Sequence, residues 1–346
     1  MIRLDRIRKE YPGGQVAVHE LSLEIGDGET CMLVGPSGCG KTTTMKMINR
    51  LIEPTSGHIY VDGHDVMAED PVLLRLRMGY VIQQTGLFPH MTIGDNVATV
   101  PRILGWDRQR IRQRVNDLLT LVGLDPARYA GRYPAQLSGG QRQRVDELLE
   151  LVGLDPGDYR GRYPHQLSGG QQQRVGFARA LGADPPILLM DEPFGAVDRV
   201  TRDRLQDEFL RIQRETRKTV VFVTHDIDEA IKLGDRIALL REGGHLEQYD
   251  TPARLLGSPA TPFVAEFLGP DRAEKRLAVL PIDPSSLVKE EGGAGPDVPA
   301  GAMLSDALSA MLLAETDRVR VVDDKAGYLG TLTVSALVKS ADNPMK

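Results

Sequence analysis

Eight consecutive residues, Gly35-Pro36-Ser37-Gly38-Cys39-Gly40-Lys41-Thr42, constrain this chain more than any other stretch of its sequence. They fit G-x-x-x-x-G-K-T. The apolar run Thr30–Val34 leads straight into them and a helix-compatible segment follows. Glycines let successive backbone N–H groups turn inward around phosphate oxygens, and the start of a helix adds its positive end. In such a loop Lys41 reaches the terminal phosphates of a nucleotide, the Thr42 hydroxyl can ligate Mg²⁺, and Thr43 completes the binding set. A strand before the loop and a helix after it predict an α/β domain.

Other segments agree with a largely parallel sheet. Ile187–Met190, Val220–Val223 and Ile237–Leu240 are short apolar runs of the kind found in strands covered on both faces. Between about residues 85 and 181 the pattern turns helical, with Ile111, Val115, Leu118, Leu119 and Val122 at helix spacing. From Gly269 to Ala302 prolines and glycines crowd together, which reads as a linker. Beyond it Leu304–Leu313 reads as a helix, Val319–Val322 and Tyr328–Leu332 as strands, and Thr333–Val338 as a helix.

Composition excludes several classes. The 346 residues are 41% hydrophobic and 26% charged, as in ordinary globular proteins. A net charge of -6 argues against a general nucleic-acid binder, whose footprint would be basic. No run of eighteen apolar residues occurs, and the opening residues lack the apolar stretch of a secretory signal. Cys31 and Cys39, the two cysteines, have no metal-type partners and are not expected to form a disulfide.

Three further segments carry chemistry. Ile187-Leu188-Leu189-Met190-Asp191-Glu192 is an apolar strand ending in two carboxylates. Beside a phosphate loop, Asp191 would hold Mg²⁺ and Glu192 would polarise an attacking water. His225, at the end of Val221-Phe222-Val223-Thr224, can hydrogen-bond a γ-phosphate. Gln83, after Tyr80-Val81-Ile82, offers a neutral amide to both Mg²⁺ and water.

Together with Leu167-Ser168-Gly169-Gly170-Gln171 and Asp198, these elements stand in the order seen in the nucleotide-binding domain of ATP-binding cassette (ABC) transporters. The resemblance covers residues 1 to about 268. It implies a P-loop NTPase fold, with a mixed sheet core and a helical subdomain. It also implies ATP and Mg²⁺ as cofactors, ATPase activity, and a head-to-tail homodimer. Each ATP would lie between one chain's phosphate loop and the other's Ser168, Gly169, Gly170 and Gln171. Tyr11 falls where the family stacks an aromatic on adenine; a packed strand-end tyrosine is the other reading.

Met45–Gly57, Gly79–Thr92 and Val100–Trp106 resemble importers of glycine betaine, carnitine, choline and related quaternary amines. That branch implies a separate transmembrane permease, indirect work with a solute-binding protein, no nucleic acid, and a place on the cytoplasmic face of the membrane. Residues 303–340 resemble a single cystathionine-β-synthase-type (CBS) module. Such modules work in pairs, which implies pairing across the homodimer. Ala336 stands where nucleotide-binding examples carry an Asp, so a dimerising or ionic-sensing role is favoured over adenosine binding. Two alternatives stay open: a non-transport ABC ATPase, and an ATP-binding regulator that turns over poorly.

An internal repeat bears on that last alternative. Residues 115–144 return as 145–174, identical at 22 of 30 positions. The chain therefore holds two signatures, Ser138-Gly139-Gly140-Gln141 and Ser168–Gln171. Only one per chain can face a given ATP. The first keeps the family's distance back to Gln83, the second its distance forward to Asp191. The second also runs directly into Val175-Gly176-Phe177-Ala178-Arg179-Ala180-Leu181, a segment leading to the Ile187 strand, and is the one expected to act.

Overall fold

The computed structural model describes residues 1–82, 87–88, 91–121, 124–131, 176–195, 199–289, 294–323 and 327–342. Its contacts fall into two compact units, Met1–Thr30 with Gly40–Val223 and Cys31–Cys39 with Thr224–Lys346.

In the first unit, strands Ile2–Glu10, Val16–Ile25 and Ser56–Val61 form an antiparallel sheet with the short strand His64–Asp65. Ile2 and Leu4 are buried and Arg3 is exposed, the period-two pattern of a sheet with one covered face. Arg6 takes φ 46° where the register shifts between Leu4 and Ile7, so Ile7 returns to the core. A second set of strands is parallel: Met78–Val81 beside Ile187–Asp191 beside Thr219–Val223. Every residue of the last two is buried. Helix Arg199–Thr216 sets Phe209 edge-on against Phe222, ring centres 5.9 Å apart.

Helices also carry the described residues between 85 and 181. Ile93–Val97 begins on Thr92, whose hydroxyl accepts from the Asp95 N–H. Arg108–Leu121 begins on Asp107, which accepts from the Gln109 and Arg110 N–H groups. Val115, Leu118 and Leu119 on that helix are buried. Residues 176–180 are helical and lead toward Ile187.

In the second unit, strand residues Cys31–Val34 run parallel to Arg236–Leu239. Strand Arg236–Arg241 pairs antiparallel with His245–Asp250. The helices Pro252–Gly257 and Pro262–Leu268 each open with a threonine cap and a proline, a combination that sets the first turn. The chain then builds a small α+β module. Asp297–Pro299 pairs parallel with Arg318–Val322, which pairs antiparallel with Tyr328–Thr333. Helices Leu304–Leu313 and Val334–Asp342 accompany this sheet.

The linker expected over 269–302 is more structured than its composition implies. Helix Arg272–Leu277 and strand Asp297–Pro299 lie within it, and Leu280, Ile282 and Val298 enter the core around Leu304, Met311, Val319 and Leu332. Apolar residues spaced among the prolines have enough area to bury, and burial overrides the local turn tendency. Among the described residues no helix is long and apolar enough to cross a membrane.

Candidate functional site

The phosphate loop begins in the second unit. The buried strand Thr30–Val34 ends at Gly35, whose φ is 150°. A side chain there would run into the Leu240 carbonyl and the Cys39 sulfur. Only glycine lets the backbone pass so close. The Cys39 N–H donates to the Pro36 carbonyl at 3.3 Å and tightens the turn that also holds Ser37 and Gly38. Cys31 and Cys39 are both buried thiols.

The first unit takes over at Gly40. Its φ is 95°, and a Cβ would sit 2.5 Å from the Ala17 carbonyl oxygen. Helix Lys41–Ile48 starts directly after it, and no side chain caps that start. An uncapped helix start presents N–H groups and the positive end of the dipole, the arrangement that attracts phosphate. Lys41 is only 6% exposed, an unusual depth for a lysine.

Thr42 and Asp191 meet here. The Thr42 hydroxyl donates to Asp191 Oδ1 at 2.9 Å. Burial pushes the Asp191 carboxyl up from its ordinary value, and the neighbouring Glu192 charge adds to the rise. Thr42, Lys46 and Lys41 pull it the other way. Tyr80, on the adjacent strand, has its phenol pushed up to about 12 by burial and by the Asp191 charge.

Glu192 follows with a left-handed backbone, φ 45°, rare for a residue other than glycine. Two hydrogen bonds hold it there. Its N–H donates to the Val223 carbonyl at 3.0 Å, and its own carbonyl accepts from the Gly195 N–H at 3.1 Å. Strain held in this way, directly after a strand end, is characteristic of functional positions.

Tyr11 lies in the first unit, its hydroxyl 3.5 Å from Thr43 Oγ1 and the Lys9 ammonium 5.3 Å from its ring centre. In the second unit His225 is exposed, between the buried Thr224 and the helix Ile227–Leu233. The Asp226 N–H donates to Thr224 Oγ1 at 3.0 Å, and Asp226 caps the helix, so the turn carrying His225 is fixed on both sides. Gln83, Asp198, Ser138–Gln141 and Ser168–Gln171 lie outside the described residues.

One arrangement has no trace in the sequence. Asp184 accepts from Lys218 at 2.8 Å and pairs with Arg114 at 3.2 Å. Arg114 also donates to the carbonyls of Leu181 and Gly182, at 3.0 and 3.3 Å. This cluster ties the helix Arg108–Leu121 to the segment before Ile187. Its members come from three distant parts of the chain, so no local pattern announces it.

Known proteins share this architecture. The ABC transporter family profile matches residues 18–147 and again 144–195, restarting where the second repeat copy begins. The glycine betaine/carnitine/choline transport ATP-binding protein of Bacillus subtilis is 46% identical over 337 residues, 97% of this chain and 79% of that one. The glycine betaine uptake system ATP-binding protein of Escherichia coli is 40% identical, covering 99% of this chain and 100% of that one. Among solved structures, a dimeric ATP-binding cassette in a post-hydrolysis state, bound to ADP and Pi, superposes with a TM-score of 0.58 at 32% identity. The match covers 72% of this chain and 98% of that one.

Proposed function

The chain belongs to the ATP-binding subunits of ABC transporters, and from that premise we propose that it energises import of glycine betaine, carnitine, choline or a similar quaternary amine. Like its family it is an ATPase. The observation that carries the transported class is the likeness to quaternary-amine importers over nearly the whole chain rather than over the cassette alone.

The proposed site is shared between two copies. Gly35, Pro36, Ser37, Gly38, Cys39, Gly40, Lys41, Thr42 and Thr43 grip the phosphates, and Tyr11 stacks on adenine. Ser168, Gly169, Gly170 and Gln171 of the second copy close over the γ-phosphate, with Asp198 at the interface. Glu192 polarises the attacking water, and His225 and Gln83 orient it. The donor set suits Mg²⁺: a hydroxyl and a carboxylate oxygen stand side by side, hard ligands for a hard cation. Among the described residues no group of three His, Cys, Asp or Glu could hold a metal alone. Nucleotide phosphates would therefore supply the remaining ligands to Thr42, Asp191 and Gln83. When bound, the ion neutralises charge building on the phosphates.

ATP closes the dimer and hydrolysis reopens it. The subunit would work at the cytoplasmic face, beneath a transmembrane permease that itself receives solute from a binding protein. Exposed Val72, Leu73, Ile103 and Leu104 are apolar surface of the sort a permease covers. The module around Leu304–Leu313 is read as CBS-like, pairing with its counterpart in the second copy. Co-expression with a candidate permease tests the proposal: ATP-dependent uptake of labelled glycine betaine or choline into vesicles is expected, and uptake of spermidine instead would refute it. The restart of the family match at residue 144 favours a second reading, a regulator with poor turnover. A steady-state ATPase rate separates the two.

A further inference from the structure

Lys275 is held from three sides. Its ammonium pairs with Asp228 at 2.9 Å and Asp271 at 3.2 Å, and donates to the Leu268 carbonyl at 3.3 Å. The lysine side chain is only 18% exposed, whereas those of Asp228 and Asp271 are 68% and 52% exposed. Burial alone would lower its pKa, but the two carboxylates outweigh burial and raise it, so the group stays charged. A shielded ammonium with three acceptors holds its geometry better than an exposed ion pair does.

The acceptors belong to different elements. Leu268 ends the helix Pro262–Leu268, and Asp271 directly precedes Arg272–Leu277, the helix of Lys275 itself. Bonding these two shapes only the local turn. Asp228 is distant in sequence and stands in the first turn of Ile227–Leu233, the helix that follows His225. That helix starts on Asp226, whose carboxylate accepts from the Asp228 and Glu229 N–H groups at 2.9 and 3.3 Å. Only Asp226 and Ile227 separate the tethered carboxylate from His225, and the Asp226 N–H is itself bonded to Thr224.

The other end of the tether leads into the C-terminal module. Leu277 packs against the core that holds Leu280, Leu304 and Val319. Arg276 lies over Gly257, where an added Cβ would come 2.7 Å from its Cζ, so the helix Arg272–Leu277 also rests on Pro252–Gly257. We propose that Lys275 is a positioning residue for His225: through Asp228 it fixes the histidine turn to the module, whose packing thereby sets where the imidazole stands. The proposal rests on the orienting role of His225. Misplacing a group that orients attacking water slows turnover without weakening the binding of nucleotide.

Steady-state ATPase kinetics on the full chain test this. Lys275→Met should lower kcat about fivefold and leave the KM for MgATP unchanged. Asp228→Asn should do the same, and the double variant should be no slower than either single one, since both break one contact. Asp271→Asn removes the other carboxylate from Lys275 but spares the tie to Ile227–Leu233, so it should keep the wild-type kcat. The proposal is overturned if Lys275→Met keeps the wild-type kcat, or if its loss falls on KM instead. It is equally overturned if Asp271→Asn is as slow as Asp228→Asn, or if the double variant multiplies the two losses. His225→Ala separates the two levels. Unchanged turnover in that variant would remove the role of His225 itself, whereas a dead His225→Ala beside a fast Lys275→Met would remove the tether alone.

Discussion

The Thr42 hydroxyl donates a 2.9 Å hydrogen bond to Asp191, joining the first turn of the phosphate-loop helix to the end of a strand 149 positions away. This bond brings the hydroxyl and carboxylate oxygens together before any nucleotide arrives.

Thr42→Val keeps the shape and removes the hydroxyl. A buried acceptor that loses its donor costs about 1–3 kcal/mol, so the nucleotide-free chain should lose that much in urea unfolding. ATP hydrolysis should vanish as well, while Thr42→Ser should retain both.

The left-handed backbone of Glu192 has its own signature. Glycine adopts φ 45° without steric cost, so Glu192→Gly should leave stability unchanged or raise it by about 1 kcal/mol while abolishing turnover. A thermal melt beside an ATPase assay checks both halves. A clear loss of stability would mean that the side chain, rather than the backbone, holds this turn.

Asp184 predicts a pH dependence. Burial alone would raise its carboxyl, but Lys218 and then Arg114 outweigh that and hold it below the ordinary 3.8. A depressed carboxyl contributes stability that is fully present above the unfolded value and lost as pH falls through the folded one. The gap between the wild-type and Asp184→Asn urea midpoints should therefore stay constant from neutral pH down to about 5. It should close only below 3.8.

The two signatures should not be equivalent. Ser168→Arg places a bulky cation where the γ-phosphate would dock and should abolish ATPase activity, whereas Ser138→Arg should be tolerated. The opposite pattern would move the working signature to the first copy.

The sequence announces some of this plainly and hides the rest. Ile187–Asp191 and Thr219–Val223 are legible as strands because burial on both faces demands unbroken apolar runs. Reading Thr42 and Asp191 as ligands of one cation requires the two to meet, and they do. The cluster of Arg114, Asp184 and Lys218 leaves no local pattern, since tertiary folding alone assembles it. Glu192 gives no hint of its conformation, because a strained φ is imposed by the Val223 and Gly195 bonds rather than by residue type. Over 269–302 the density of proline and glycine masks Leu280, Ile282 and Val298, whose burial decides the structure.

The proposed ATP site is composite, completed by a second copy of the chain, with Glu192 activating water. Sedimentation velocity of Glu192→Gln with and without MgATP tests it most directly. The variant should be a monomer that becomes a stable dimer on ATP, hydrolyses it at least about a hundredfold more slowly than wild type, and fails to dimerise when Ser168→Arg is added. A variant that stays monomeric with ATP, or that turns over at the wild-type rate, would contradict it.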